Sequence, residues 1–140
     1  MATSRRDFFK QSCTLCLGSL ALGWLSACTA IPVLKADAVK GIISVPVSSF
    51  SEKNNSVIVR NKELEFDILV LKSGNAFQAL QMKCTHQDNP LTVNSSGLFC
   101  SAHGSTFDLQ GNVTKEPALK PLKKYKTELT ASTILIHTLS

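Results

Sequence analysis

The chain is short of aromatic residues, of helical periodicity and of length, and each shortage closes off a class of function. Aromatic side chains make up 6% of the sequence and do not interleave with the basic ones, so no base-stacking surface is in view and nucleic acid is not an expected partner. Beyond the N-terminal region no segment carries the 3.6-residue apolar period of an amphipathic helix, and there is no internal repeat or low-complexity tract. With 140 residues there is room for one hydrophobic core and no second catalytic domain.

What is present begins with an address. Ser4-Arg5-Arg6-Asp7-Phe8-Phe9-Lys10 has the twin-arginine pattern, and the uncharged stretch from Gln11 to Leu34 follows it. The pair looks like an export signal of the kind that carries folded proteins. Leu25-Ser26-Ala27-Cys28 resembles a lipobox, which would make residues 1–27 a removable signal and Cys28 the lipidated first residue. The alternative is one uncleaved helix through residue 34, since about 20 apolar residues cross a bilayer. Either way the domain is expected to be membrane-tethered and extracytoplasmic or periplasmic. Cys13 and Cys16 form a Cys-x-x-Cys within this segment, a spacing read as accidental there. Cleavage before Cys28 leaves only Cys28, Cys84 and Cys100, so no structural disulfide is expected.

Residues 28–38 read as a linker and 39–140 as the domain. Short β-favouring runs are expected at Gly41–Val47, Ser56–Arg60, Glu63–Leu71, Ala76–Met82, Gly97–Cys100, Leu122–Leu129 and Thr133–Leu139. Lys72-Ser73-Gly74-Asn75 and Thr130-Ala131-Ser132 are the hairpin connections. The fold class is therefore all-β, a small barrel or sandwich of antiparallel strands. In Glu63–Leu71, Leu64, Phe66, Ile68 and Val70 share one face, with Leu69 breaking the alternation. His137 reads as a strand histidine without a second ligand-type neighbour. The net charge of +5 includes Lys115, Lys120, Lys123, Lys124 and Lys126 in one stretch, which reads as a solvated face, or as a surface for an acidic partner or lipid headgroup.

Two groups carry the chemistry. Cys84-Thr85-His86 and Cys100-Ser101-Ala102-His103 each follow an expected strand, with 13 residues between them. Each supplies one soft thiolate and one imidazole. Brought together, they suit a [2Fe-2S] cluster with two sulfurs on one iron and two nitrogens on the other. They also suit a tetrahedral zinc ion, and ligand count alone leaves both open.

The second loop continues Gly104-Ser105-Thr106-Phe107-Asp108, then Gly111-Asn112-Val113 and Pro117-Ala118. With these residues the chain from about Val39 onward resembles the Rieske iron-sulfur family. The resemblance implies a Rieske-type β fold with two cluster-binding loops and one [2Fe-2S] cluster. Cys84 and Cys100 would hold the inner iron, and His86 and His103 the outer iron. Gly104 would let the backbone turn close to the cluster, Ser105 would donate a hydrogen bond to a bridging sulfide, and Pro117 would belong to a cover loop. Glu116 stands where a glycine is usual.

Two departures from the quinol-oxidising members lower the expected potential. Asn89 and Ala102 occupy the positions of a loop-clamping disulfide, and Phe107 replaces a tyrosine that bonds a ligand sulfur. Rieske potentials span about −150 to +300 mV, and a value below the upper end is expected. The implied function is one-electron transfer as an extracytoplasmic carrier or redox subunit with protein partners. A quinol-interacting subunit and a zinc-stabilised binding module are the competing readings. An oxygenase in its own right is not expected, because only 37 residues follow His103.

Overall fold

A computed structural model describes residues 30–139. The twin-arginine segment, Cys13, Cys16, Cys28 and the expected signal or anchor helix lie outside the described residues. Among the described residues no helix is long and apolar enough to cross a membrane.

The domain is nearly all β. Its strands are β1 Val33–Lys35, β2 Ala38–Val39, β3 Ile42–Pro46, β4 Ser56–Arg60, β5 Ile68–Ser73, β6 Ala76–Gln81, β7 Thr92–Asn94, β8 Gly97–Phe99, β9 Thr106–Phe107, β10 Val113–Lys115, β11 Lys124–Leu129 and β12 Thr133–His137. Eight of them form one sheet in the order β1-β4-β5-β6-β11-β12-β3-β2. All pairs in it are antiparallel except β1 with β4. Its two edge strands, β1 and β2, are consecutive and separated by Ala36 and Asp37 alone. Three peptide units span at most about 11 Å, so the sheet must curl until its edges nearly meet. The result is barrel-like, with the two edges brought close together instead of standing at opposite ends of an open sheet. The other four strands make a small sheet in the order β10-β9-β8-β7.

The expected linker differs from what is seen. Val33, Leu34 and Lys35 pair with Ile58, Val59 and Arg60, and Ala38 and Val39 pair with β3, so part of that stretch belongs to the sheet. The expected strand at Glu63–Leu71 begins only at Ile68. The cause is local: buried Asn61 donates to the Ala36 carbonyl at 2.7 Å and accepts from the Glu63 amide at 2.7 Å, forming an Asx-type turn. Arg60 then grips the Asp67 carboxylate through Nη2 at 2.7 Å and Nε at 3.1 Å, and this hydrogen bond raises the guanidinium pKa further.

Two apolar clusters fill the domain. The first lies within the curled sheet and contains Ile43, Val45, Val57, Val59, Ile68, Val70, Ile134 and Ile136. The second joins the large sheet to the small one through Leu69, Leu80, Met82, Leu91, Leu98, Phe107 and Leu122. Leu69 interrupts the alternation of β5 for this reason, because that strand buries both faces, one in each cluster. Full burial of such side chains contributes about 1.5–3 kcal/mol each. The second cluster also contains Cys84, Cys100 and Ala118, so the cysteine loops are anchored in a core rather than laid upon a surface.

Candidate metal centre

The two cysteine loops share one backbone frame. In the first, the Cys84 amide donates to the Asn89 carbonyl at 2.8 Å and the Asp88 amide donates to the Cys84 carbonyl at 2.9 Å. In the second, the Cys100 amide donates to the Ser105 carbonyl at 2.9 Å and the Gly104 amide to the Cys100 carbonyl at 3.0 Å. Each cysteine is thus bonded to the residues four and five places on. The residue at the fourth place has positive φ in both loops, 48° at Asp88 and 80° at Gly104. A Cβ on Gly104 would meet no atom nearer than Lys115 Nζ, at 3.9 Å. On the protein side it is therefore the left-handed backbone that calls for glycine, not crowding. Asp88 takes the same conformation at some cost, in a residue type that tolerates it.

Both loops grow from hairpins. The first is closed by the bridge between Lys83 and Pro90, with an ion pair from Lys83 to Asp88 at 3.0 Å. The second tips the β8–β9 pair, where Phe99 faces Thr106. The thiols of Cys84 and Cys100 are buried and form no disulfide. The His86 and His103 rings lie with centroids 5.0 Å apart and planes at 89°. His86 is half-buried and His103 exposed, so one edge of the centre reaches solvent. The Nδ1 of His86 is buried with no hydrogen-bond partner. An orphaned buried nitrogen costs about 1–3 kcal/mol unless something binds it, and a metal is a fitting partner for a neutral imidazole nitrogen beside two buried thiols. Among the described residues no three His, Cys, Asp or Glu side chains converge as one metal ion would require.

Around the loops, Ser105 is fully buried and its Oγ accepts a hydrogen bond from the Ala118 amide at 3.0 Å. Its own proton has no acceptor among the described residues and is free to be donated elsewhere. Ala118 follows Pro117 in a loop whose Glu116–Pro117 bond is cis, and Leu119 beyond it is exposed. Thr85 Oγ1 donates to the Lys120 carbonyl at 2.6 Å, tying the first loop to this segment. Phe107 is buried in the same cluster as both cysteines. Asn89 contributes its backbone carbonyl, and Ala102 is exposed.

The turn after Phe107 is closed by Asp108, whose carboxylate receives the Asn112 amide at 2.8 Å and the Asn112 side chain at 3.0 Å. Burial pushes the Asp108 carboxyl up, but the bonds from Asn112 and Gln110, with Lys124 nearby, leave it below its ordinary value. His137 stands in β12 with Nε2 3.5 Å from Glu128, a contact too long for a good hydrogen bond, and no third ligand-type group joins it. It behaves as the strand histidine expected. A cavity of about 480 Å³ between the β5–β6 and β7–β8 hairpins contains none of the four ligand-type residues. Electron transfer through an exposed ring edge has no need of a pocket. Sequence reasoning passed over Asp88 and Thr85. Asp88 could have been found from its place four residues after Cys84, matching Gly104 after Cys100.

A family model described as the Rieske [2Fe-2S] domain matches residues 43–126. The cytochrome b6-f complex iron-sulfur subunit of Chlorobaculum thiosulfatiphilum is 28% identical over 120 residues, covering 77% of this chain and 64% of that protein. The chain thus spans somewhat less than two thirds of that relative's length. Among solved structures, a chain of the complex of reduced oxygenase and oxidized ferredoxin in carbazole 1,9a-dioxygenase matches with TM-score 0.54 and 19% identity. That match covers 71% of this chain and 95% of the other, and it bears on the fold. The plasma membrane Rieske protein PetC3 from Synechocystis PCC 6803 matches with TM-score 0.46 and 24% identity, over 69% and 86% of the two chains.

Proposed function

The chain belongs to the Rieske [2Fe-2S] domain family, and from that premise we propose that it is a membrane-tethered, extracytoplasmic one-electron carrier or redox subunit whose cluster is held by Cys84, Cys100, His86 and His103. The domain binds one [2Fe-2S] cluster and serves Rieske-type electron transfer. The observations that carry the ligand assignment are two cysteines buried in one apolar cluster, the His86 and His103 rings 5.0 Å apart on loops of equivalent backbone frame, and the orphaned Nδ1 of His86.

When bound, the cluster supplies a centre that stores and releases one electron. The chain's own residues then divide the work. The two thiolates, buried in the second apolar cluster, would keep water from the inner side. The two imidazoles would present ring edges outward, which shortens the path for an electron to a docked partner. Ser105 would offer its free hydroxyl proton to the inorganic sulfur, and the Ala118 amide fixes the orientation of that hydroxyl. Export by a twin-arginine route suits a cofactor inserted before translocation, and the Cys28 lipobox or an uncleaved helix would supply the tether.

The relative named as a cytochrome b6-f complex subunit favours a second reading, a subunit of a larger complex that meets quinol. Phe107 in place of a hydroxyl-bearing residue and the absence of a loop disulfide set this reading second. The test is low-temperature EPR of the dithionite-reduced full chain. A rhombic iron-sulfur signal with nitrogen couplings from two imidazoles is expected, and its loss in Cys84→Ser and His103→Ala variants. A colourless protein that holds zinc would refute the assignment.

A further inference from the structure

The basic residues are unevenly placed. Among the described residues up to Gln110, seven Lys and Arg balance seven Asp and Glu; after Gly111, five Lys face only Glu116 and Glu128. Among the described residues the positive excess therefore lies between Lys115 and Lys126, the stretch that includes the cover loop. Glu128 is itself ion-paired to Lys126 at 2.7 Å, which holds its carboxyl below the ordinary range, with His137 adding to the effect.

Two of these lysines lie near residues adjacent to the histidines in sequence. Lys115 places its Nζ 3.9 Å from the point where a Cβ on Gly104, the residue after His103, would stand. Lys120 is exposed and receives, at its carbonyl, the bond from Thr85, the residue before His86. Between them in sequence Leu119 is 80% exposed, an apolar side chain held out in the cover loop. A shallow groove of about 290 Å³ runs alongside, lined by Val113, Thr114, Lys115, Glu116, Ala118 and Leu119. Glu116 lines the same groove, and Asp88 in the first cysteine loop is already paired with Lys83.

We infer that Lys115, Leu119 and Lys120 form the docking face for a protein redox partner whose own electron-exchange site is ringed by carboxylates. The inference rests on the function proposed above and names its partner's chemistry. An apolar centre flanked by cations is the complement of an acidic rim. Steering of this kind raises encounter rates by ten to a thousandfold at low salt and fades as salt screens it. Leu119 supplies the desolvated contact, and the two lysines supply orientation over the imidazole edges.

The test uses the holoprotein and two oxidants of opposite charge. One electron leaves the reduced protein and converts ferricyanide to ferrocyanide, or tris(phenanthroline)cobalt(III) to cobalt(II). Oxidation by the anion should be fast at low ionic strength and slow on adding salt, and oxidation by the cation should respond in the opposite sense. K115E/K120E should slow the ferricyanide reaction on the order of tenfold and reverse its salt dependence. K53E/K62E makes the same change in net charge on the β4 side of the barrel and should have a much smaller effect. A readout without electron transfer is the binding of fluorescently labelled decaglutamate, which should weaken in K115E/K120E and persist in K53E/K62E.

Equal effects of the two double variants would overturn the docking face, because net charge would then suffice. Suppression of the ferricyanide reaction by vesicles containing phosphatidylglycerol, but not by phosphatidylcholine alone, would assign the lysines to a lipid surface and also overturn it. Absence of any iron-sulfur EPR signal would instead refute the proposed function itself.

Discussion

Replacing Ser105 by alanine separates the role that the structure gives to its hydroxyl from the role proposed for it. The side chain is fully buried and its oxygen accepts from the Ala118 amide at 3.0 Å. Truncation leaves that amide, on a fully buried residue, without an acceptor, at a cost of about 1–3 kcal/mol in stability. The second role is donation of the hydroxyl proton to the cluster sulfur. A hydrogen bond to a charged acceptor contributes about 1.5–3 kcal/mol against about 0.5–1.5 for a neutral one, and reduction adds a negative charge to the acceptor. A difference of about 1 kcal/mol between the redox states corresponds to about 40 mV in a one-electron couple, since 59 mV is tenfold in the equilibrium constant. Ser105→Ala should therefore lower the midpoint potential by about 40 mV as well as the stability. Potentiometric titration followed by visible absorption gives the first quantity and chemical denaturation the second. A midpoint equal to the parent's, with stability reduced, would refute donation to the cluster and leave Ser105 as a support for the cover loop alone.

Phe107→Tyr adds a hydroxyl within the cluster of side chains that surrounds both cysteines; a new bond to a ligand sulfur should raise the midpoint by a similar ~40 mV, read by the same titration. Thr85→Val removes the 2.6 Å tie to Lys120, and a loss of about 1 kcal/mol should speed chelator-driven iron release several-fold, followed as bleaching of the visible bands. Asp108→Asn loses a carboxylate that holds Asn112 through two bonds, for about 1 kcal/mol near neutral pH. The folded pKa of Asp108 is depressed, so its contribution is complete above the unfolded value of about 3.9 and lost as pH falls through the lower folded value. The gap between Asp108→Asn and parent in urea midpoints should accordingly close on acidification, and a gap independent of pH would contradict the assigned role.

The parts legible in sequence were those written locally. Ser56–Arg60 and Thr133–His137 declare themselves by β-branched alternation, and Gly74-Asn75 marks its hairpin. The cysteine and histidine spacing brought out two loops before any pairing was known. The strands that escaped notice, β1, β2, β7, β9 and β10, are all of two or three residues, and of the strands that short only β8 was expected. Val33–Lys35 reads as linker until β4 is laid beside it. The false start at Glu63 has the opposite cause: a good alternating pattern was outcompeted by the Asn61 turn and the Arg60–Asp67 pair. The equivalence of the two loops was hidden because aspartate and glycine fill the same left-handed position, and only the backbone reveals it.

That equivalence bears on how the loops are held without a cross-link. A native disulfide in a small domain contributes about 2–5 kcal/mol, and the described residues contain none. In its place each loop has two backbone bonds around its cysteine, and the cover segment ties both loops together, Ser105 to Ala118 and Thr85 to Lys120. Four backbone and two side-chain hydrogen bonds at about 1 kcal/mol net apiece, with two cysteines sunk in a shared apolar cluster, reach the same order as the missing bond. The loops are thus held from beneath and through the cover segment. This leaves Ala102 and His103 exposed at the tip. The cover segment that replaces the clamp also carries Lys115, Leu119 and Lys120, so loop retention and the proposed partner recognition would fall to the same six residues, 115–120.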